Sequence, residues 1–453
     1  MSSVASFLWP KNSEVLRRYV QSTASTVHNP DSLIALVPQE TRANVAAGAK
    51  TRAQAVTESL ATHKWGSAVT GGLERKLHEM MLLVAGLDCA HAADPIELVA
   101  LNEDVTQQSK TAANWAKAHG VPSVVVSHSC ILGRLYTVHR EENGDALATF
   151  GRRGAQPYTD MGVPGNRLAL TGNPAWDVYP QLIAQRAQIR AEFTKQHGLG
   201  GSDHIVVFAT TWPAFLTAFC DPNHYEFSLR AVLRSVRELR ELGVPIRLVI
   251  KERPANAQKT AARDAIIREE SAGYEPVVTH DDLERWVVAA DAVISVDSNV
   301  SIEAMIAGTV PVNLWTPMSW LNGPFFDAED GVIDASAEKL SIALAHALGD
   351  QAMRTELRAQ AQARLPEFMT GVGGAAARVA DLLVQARLQT AAPAAPRYAW
   401  QELSNPRSIT EKGGTATYYR NARHDMISLV RGEPKMIVEV GCADGATGAE
   451  LKR

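Results

Sequence analysis

The sequence predicts an α/β fold with doubly wound parallel sheets. Between residues 94 and 129, apolar strand-like segments flank a helical segment, and between residues 204 and 315 strand-like and helical segments alternate strictly. A strand, a crossover helix and a second strand form a right-handed unit with parallel strands in almost all proteins. Repetition of that unit places helices on both faces of a sheet and ligands at the carboxyl ends of its strands.

Composition restricts the class of protein. The chain has 453 residues, 46% of them hydrophobic and 21% charged, which are globular values, and its net charge of -4 gives no general attraction for nucleic acid. Four cysteines are too few for a disulfide scaffold and too far apart for a zinc site. The first ten residues have neither the basic region nor the apolar stretch typical of a signal peptide, and no apolar stretch of about 18 residues occurs in the sequence. We therefore expect a cytoplasmic protein of several domains.

The first half is predicted to contain a strand at residues 32–37, an amphipathic helix at 73–93 and a β–α–β unit from residue 96 to residue 129. Gly120 ends the helix of that unit. A short strand follows at residues 167–170. We place a hinge near Gly172 and Asn173, which closes a first domain of residues 1–175.

The second half is more regular. Its predicted strands begin near residues 204, 246, 276, 292 and 310, with helices between them and three further helices up to residue 388. An alanine- and proline-rich segment then has the composition of a linker. The expected divisions are a second domain at 176–389, a linker at 390–397 and a third segment at 398–453.

The strongest candidate site lies in residues 290–313, ADAVISVDSNVSIEAMIAGTVPVN. A buried strand is followed by Ser298, Asn299 and Ser301, and then by Glu303 in the first turns of a helix. Helix-start amides and turn hydroxyls form an anion site suited to a diphosphate, and Glu303 could accept hydrogen bonds from ribose hydroxyls. The alternative is an ordinary junction, since these residue types are also favoured helix caps.

This segment resembles the donor-nucleotide motif of GT-B glycosyltransferases, in which a strand, a serine-containing turn, an EA dipeptide, a glycine and a P-V strand follow in order. The matching residues are Ala290, Asp291, Ile294, Ser298, Glu303, Ala304, Gly308, Pro311 and Val312. The sequence is similar to a bacterial surface-polysaccharide branch of capsule and lipopolysaccharide sugar transferases, CDP-glycerol glycerophosphotransferases and, more distantly, UDP-N-acetylglucosamine 2-epimerases. The resemblance implies two Rossmann-like domains facing a cleft.

Two other segments carry the same resemblance. Residues 162–177, GVPGNRLALTGNPAWD, resemble the hinge segment of that branch. Residues 94–129 resemble a segment whose second strand ends in QHG, and here that end reads Ser127, His128 and Ser129. Because the Gln and Gly are replaced, the resemblance transfers a role only to His128.

Further donor-side residues follow from the resemblance. Residues 246–254, IRLVIKERP, resemble a strand end that implies phosphate contacts for Lys251 and Arg253, although the His of that motif is absent. A solvated basic strand end is the alternative. The loop after the strand at 204–210 would bring hydroxyls to the phosphates, and the loop after residue 279 would border the base. These candidates are Thr210, Thr211, His280 and Asp281.

An inverting sugar transfer requires a general base for the acceptor hydroxyl, whereas a retaining one does not. Glu103, Asp104 and His128 are the candidates at strand ends of the first domain. No DxD-type motif occurs at a plausible strand end, and the resemblance implies that helix dipoles and basic side chains stabilise the leaving diphosphate. We therefore predict no metal.

The last segment has a different character. Residues 434–453, PKMIVEVGCADGATGAELKR, resemble motif I of class I S-adenosylmethionine-dependent methyltransferases through Glu439, Gly441 and Gly445. The 56 residues from 398 onwards are too few for the sheet of such a domain. S-adenosylmethionine is accordingly expected as a cofactor only in a longer chain.

The resemblance implies a glycosyltransferase that moves a sugar, or a polyol phosphate, from a nucleotide-activated donor to a hydroxyl of a glycan or glycoconjugate acceptor. Peripheral association with a membrane-bound assembly machinery is compatible with this function. Two alternatives remain at the level of sequence. One is a nucleotide-sugar 2-epimerase using the same cleft without an acceptor, and the other is a non-catalytic scaffold with a degenerate GT-B pair.

Overall fold

A computed structural model describes residues 2–61, 72–102, 106–129, 144–160, 162–201, 203–210, 224–253, 260–280, 282–316 and 325–388. The chain divides into two compact units, Met1–Ala394 and Ala395–Arg453. All described residues belong to the first unit, which contains two parallel sheets. We call each sheet with its helices a lobe.

The sheet of the first lobe has the strand order β2-β1-β3-β4-β5-β6. Its strands are β1 (Ser3–Phe7), β2 (Thr26–His28), β3 (Ile96–Leu101), β4 (Ser123–Val126), β5 (Ala146–Thr149) and β6 (Leu168–Leu170). Its helices in chain order are α1 (Ser13–Thr23), α2 (Pro30–Ala35), α3 (Gln39–Leu60), α4 (Leu73–Ala93), α5 (Gln107–His119) and α6 (Arg152–Asp160). Every strand pair is parallel.

The sheet of the second lobe is also parallel throughout, in the order β12-β11-β10-β7-β8-β9. Its strands are β7 (His204–Ala209), β8 (Ile246–Lys251), β9 (Val277–Thr279), β10 (Ala292–Ser295), β11 (Val310–Trp315) and β12 (Ile333–Ser336). The helices are α7 (Tyr179–Ala184), α8 (Arg186–His197), α9 (His224–Glu241), α10 (Thr260–Glu270), α11 (Leu283–Ala289), α12 (Val300–Ala307), α13 (Leu340–Gly349) and α14 (Gln351–Phe368).

Buried apolar strands explain why these segments form sheet centres. The central strands β3, β7, β8 and β10 are almost entirely buried, as expected for strands covered by helices on both faces. Glycines in left-handed conformations end three of the described α-helices, Gly120 after α5, Gly198 after α8 and Gly308 after α12. The α/β prediction is confirmed.

One predicted strand is wrong and four strands were not predicted. Residues 32–37 lie largely in helix α2, because Asn29 caps its first turn in a reciprocal capping box with Ser32 and Pro30 occupies the first helical position. A short apolar run by itself does not distinguish a strand from a helix. The strands that were not predicted, β1, β2, β5 and β12, have only three to five residues each, which leaves a short pattern for detection.

The chain crosses between the lobes twice. The first crossing is the predicted hinge, where Gly172 has a φ of 79° and a side chain would meet the Thr370 carbonyl oxygen at 3.1 Å. The second crossing follows α14 and leads into helix α15 (Ala375–Arg387). Helix α15 packs its apolar side chains into a core that also contains Val4 and Leu98 of the first sheet. The final described helix therefore belongs to the first lobe by packing, although the predicted second domain extends to residue 389.

Candidate functional site

Both sheets have a topological switch point. In the second lobe the strand order reverses between β7 and β10, and in the first lobe between β1 and β3. Loops on either side of a switch point diverge and leave a crevice at the carboxyl ends of the strands. The segment with the strongest sequence signal, residues 290–313, contains β10, and it therefore reaches this crevice in the second lobe.

The turn after β10 has an unusual backbone. Asp297 adopts a φ of 41°, which is uncommon for a residue other than glycine. Its amide donates to the Asn313 Oδ1 at 2.9 Å, and the Asn313 side-chain amide donates to Asp334 on the edge strand β12 at 2.9 Å. These bonds fix the turn so that Ser298 and Asn299, both half-buried, precede helix α12.

Ser301 has a different position from its neighbours. Its hydroxyl lies 2.9 Å from the hydroxyl of Ser295 at the end of β10, and the residue is fully buried. In this structure Ser301 therefore ties the first turn of α12 to the strand, while Ser298 and Asn299 remain nearer the surface of the crevice.

Glu303 is also buried, with 6% of its surface exposed. Its Oε2 accepts a hydrogen bond of 2.5 Å from the hydroxyl of Tyr179, which follows the predicted hinge. Burial raises the pKa of Glu303 to about 7, against the opposing effect of the Tyr179 hydrogen bond. The carboxyl group consequently changes its protonation near neutral pH.

The ends of β7 and β8 form a second group of polar side chains. The Thr210 hydroxyl lies 3.1 Å from Oε2 of Glu252, and it accepts the backbone amide of Arg253 at 3.2 Å. Glu252 is 1% exposed and also accepts from the hydroxyl of Tyr225. Lys251 is buried and donates to the Glu252 carbonyl oxygen at 2.8 Å. Glu252 thus orders Thr210, and Thr210 in turn fixes the backbone of Arg253.

Arg253 is half-buried, and burial lowers the pKa of its guanidinium to about 10. This pKa still leaves Arg253 protonated at neutral pH. The group at the ends of β7 and β8 therefore supplies a positive charge on the other side of the switch point from the β10 turn.

The two lobes meet at the predicted residues Asn299 and His128. The side-chain amide of Asn299 donates to the His128 carbonyl oxygen at 3.2 Å, and the Ser129 hydroxyl donates to the Asn299 Oδ1 at 3.4 Å. Lys11 of the first lobe lies 3.9 Å from Glu284 of the second. The carboxyl ends of the two sheets consequently face each other across this region.

Not every predicted residue joins this arrangement. His280 follows β9 and is exposed. Asn173 lies in the hinge and accepts the Ala175 amide at 3.0 Å, which caps a short turn. Seven candidates lie outside the described residues: Glu103, Asp104, Thr211, Asp281, Glu439, Gly441 and Gly445.

The structure also adds residues that the sequence did not indicate. Glu252 and Tyr179 are buried partners of predicted residues, and Trp9 and Asn102 lie at the switch point of the first sheet. Glu252 and Asn102 were within segments singled out for a motif, but neither was named as a candidate, and the Tyr225 partner of Glu252 comes from the distant helix α9. Trp9 follows β1, a strand that was not predicted.

Within the described part of the chain, no group of three or more His, Cys, Asp or Glu side chains is arranged to hold a metal ion. Among the same residues, no helix has the length and apolar character needed to cross a membrane.

No protein-family profile and no curated protein matches the sequence. Solved structures do match the fold. The UDP-GlcNAc 2-epimerase from Neisseria meningitidis, bound to UDP-GlcNAc, is similar with a TM-score of 0.56 and 11% identity, over 85% of this chain and 100% of that one. This chain has the GT-B fold. HepE from Anabaena, in complex with UDP and glucose, has a TM-score of 0.51 and 9% identity, over 85% and 99% of the two chains.

The wall teichoic acid polymerase TagF is similar over 85% of this chain and 89% of its own, with a TM-score of 0.50 and 12% identity. At these identities the comparisons establish the fold, with two Rossmann-like lobes as predicted. The GT-B neighbours include nucleotide-sugar enzymes, among them both an epimerase and a polymerase.

Proposed function

We propose that this protein is a metal-independent glycosyltransferase that binds a nucleotide-activated sugar between its lobes and transfers the sugar to a glycan or glycoconjugate hydroxyl. The observation that carries this proposal is the β10 turn, which lies at the switch point of the second sheet and bonds through Asn299 to the end of β4. A ligand bound there would contact both lobes. The likeness of the fold to GT-B proteins crystallised with UDP or UDP-GlcNAc supports it.

In the proposed complex, the diphosphate lies between two groups. Ser298, Asn299 and the amino end of α12 provide a hydroxyl, an amide and backbone N–H donors. Thr210 and Arg253 approach from the other side of the switch point, and the guanidinium offers a bidentate contact to a phosphate. Lys251 supplies a further charge, and His280 and Asp281 border the base. Donors fixed in place stabilise the negative charge on the leaving diphosphate without a metal.

We propose that Glu303 accepts hydrogen bonds from the ribose hydroxyls of the donor. This role requires the carboxylate form, and it requires the carboxyl group to share or give up the Tyr179 hydrogen bond on ligand binding. Ser301 would act indirectly by holding the first turn of α12 through Ser295. Thr211 is proposed to extend the phosphate contacts of Thr210.

On the acceptor side, His128 is proposed to take the proton of the attacking hydroxyl, as the reaction needs a base at that position if it inverts the anomeric centre. Its carbonyl oxygen is bonded to the donor turn, so the residue lies beside the proposed diphosphate site. Glu103 and Asp104 remain candidates for the same role. Surface-polysaccharide assembly is the proposed setting.

The first test is nucleotide binding. We expect UDP, CDP or GDP to raise the melting temperature of the full chain, and calorimetry with the stabilising nucleotide to show a Kd at least tenfold weaker for Glu303→Ala. Loss of a charged hydrogen-bond acceptor from a buried site has about this effect. The control is Glu241→Ala, which removes an exposed glutamate at the end of α9, on the side of the sheet where β8 begins rather than at the carboxyl ends of the strands.

Two results would contradict the proposal. Absence of stabilisation by all three nucleotides would favour the non-catalytic scaffold. An unchanged Kd for Glu303→Ala would leave nucleotide binding in place but remove the ribose contact from Glu303.

A nucleotide-sugar 2-epimerase is the second candidate, favoured by the likeness of the whole Neisseria meningitidis epimerase chain to this fold. It needs no acceptor. Incubation of the protein with UDP-GlcNAc alone, followed by NMR of the products, separates the two functions. Formation of the 2-epimer would identify an epimerase, whereas a glycosyltransferase would release UDP slowly and retain the configuration at C2.

A further inference from the structure

Trp9 lies at the carboxyl end of β1 with 46% of its surface exposed. The other described tryptophans are at least half-buried, and Trp115, Trp176 and Trp286 are 1–4% exposed. Covering a large aromatic ring removes more apolar surface from water than covering a smaller side chain does, so an exposed tryptophan at a strand end is a candidate ligand contact. Nothing in the proposed donor site uses this residue.

The backbone around Trp9 is fixed. Its amide donates to the side-chain oxygen of Asn102, which is 2% exposed at the end of β3. The Asn102 side-chain amide donates in turn to the Val126 carbonyl oxygen at 3.3 Å. One buried asparagine therefore ties together the ends of β1, β3 and β4 at the switch point of the first sheet.

The indole ring has a defined neighbour on the same surface. The Trp9 and His128 ring centroids are 4.9 Å apart, with the ring planes at 54°. His128 is also the residue whose carbonyl oxygen accepts from Asn299 on the second lobe. A single residue, His128, thus lies between Trp9 and the proposed donor turn. Trp9 is on the first-lobe side of the contact between His128 and Asn299.

We propose that Trp9 is a stacking platform for a pyranose ring of the acceptor saccharide, with Asn102 and His128 fixing its position. This inference rests on the proposed glycosyltransferase function. One face of a pyranose presents C–H groups, which pack on an aromatic ring, while its hydroxyls point outward to polar groups. A sugar on Trp9 places a hydroxyl toward His128, the proposed base, and toward the donor turn beyond it.

The position of Trp9 favours an acceptor sugar over the donor. The candidate diphosphate contacts, Ser298, Asn299 and Arg253, are all on the second lobe, whereas Trp9 and Asn102 are on the first. A sugar on Trp9 therefore approaches from the opposite side of the His128–Asn299 contact. A donor sugar or a nucleobase on the same ring is an outcome that the test distinguishes.

The test uses the full chain with UDP present and the methyl glycosides of glucose, galactose, mannose and N-acetylglucosamine as probes. Saturation-transfer NMR reports which sugar protons contact the protein. We expect at least one glycoside to bind, with the strongest transfer to the C–H protons of one pyranose face. For Trp9→Ala we expect a Kd about tenfold weaker, which corresponds to ~1.4 kcal/mol, and for Trp9→Phe a smaller loss.

The control is Leu242→Ala, which removes a side chain that is 80% exposed, just after α9 and before β8. It should leave glycoside binding unchanged. Calorimetry with UDP should give wild-type affinity for Trp9→Ala, since the proposed nucleotide contacts lie on the other lobe. This measurement also shows that the variant is folded.

Three outcomes overturn the inference. In the first, the wild-type protein binds none of the four glycosides, and in the second, Trp9→Ala binds them as tightly as the wild type does. In the third outcome, Trp9→Ala binds a UDP-sugar more weakly but binds the glycosides normally. The last would place the donor sugar on Trp9. Failure of the proposed function is separate, because it appears as the absence of nucleotide binding by the wild-type protein.

Discussion

The pair Glu303 and Tyr179 shows how a residue with a clear sequence signal acquires properties that the sequence does not give. The motif indicates a glutamate at the start of α12, but its environment comes from the segment after the hinge. Burial raises the pKa of Glu303 to about 7 from an ordinary value of 4.5. The folded protein therefore binds a proton that the unfolded chain releases between these two values.

The stability of the protein should depend on this proton. Because the folded-state pKa of Glu303 is raised, its contribution is fully present below pH 4.5 and is lost as the pH rises through about 7. We expect the free energy of unfolding of wild type, relative to Glu303→Gln, to fall by about 2 kcal/mol from pH 5.5 to pH 8. Denaturant unfolding of both proteins at both pH values measures this difference. A constant difference would show that the carboxyl group is not protonated on folding.

At the scale of elements, helix α15 depends on a residue nearly two hundred positions earlier. Asp177, in the hinge segment, accepts the amides of Ala375 at 2.9 Å and Ala376 at 2.8 Å, which are the first amides of the helix. Gly374, at the preceding position, has a φ of 74° and no side chain to cap these donors. One carboxylate therefore joins the two crossings between the lobes.

Removal of this cap should destabilise the protein. We expect Asp177→Ala to lower the free energy of unfolding by about 1–2 kcal/mol, as for other lost helix caps. Asp381→Ala, on the exposed face of the same helix, should change it by less than ~0.5 kcal/mol. Equal effects of the two substitutions in denaturant unfolding would show that the cap contributes nothing specific.

Elements with long, regular patterns were predicted well, whereas four short strands were missed. The helix at 73–93, the β–α–β unit from residue 96 and the alternating strands of the second lobe agree with the structure. Strands such as β2 and β5 have three or four residues and become strands only because neighbouring strands supply hydrogen-bond partners. The prediction of a strand at 32–37 was wrong because this apolar segment is too short to show a helical or strand periodicity, and the Asn29 cap favours a helix.

At the scale of the whole molecule, a buried charge network joins the lobes. Asp330 of the second lobe is fully buried and lies 3.0 Å from both Arg153, on α6 of the first lobe, and Arg364, on α14. The Arg153 guanidinium also lies 4.9 Å from the ring centre of Phe368. A buried carboxylate that loses a cation partner is costly, so this contact holds the lobes together.

Arg152, the neighbour of Arg153 on α6, provides a matched control for the loss of Arg153. We expect Arg153→Ala to lower the free energy of unfolding by about 2–3 kcal/mol, because Asp330 keeps only Arg364. Arg152 pairs with Glu367 at 2.6 Å but is largely exposed, so Arg152→Ala should cost less than about 1 kcal/mol. Small-angle scattering would also show whether Arg153→Ala expands the molecule. If both variants lose a similar free energy of unfolding, the loss in Arg153→Ala comes from the change in surface charge and not from the buried contact with Asp330.

The sequence by itself determined the fold class, five of the six strands of the second sheet and the turn after β10, because long apolar strands, regular alternation and a motif with fixed spacing are local properties. It also indicated Asn299 and His128 as candidates, although it did not show that they meet. Only the tertiary structure decided that contact, the burial of Glu303, the position of Trp9 at a switch point and the return of α15 to the first lobe. The physical reason is that each of these depends on side chains far apart in sequence, whose packing no local pattern encodes.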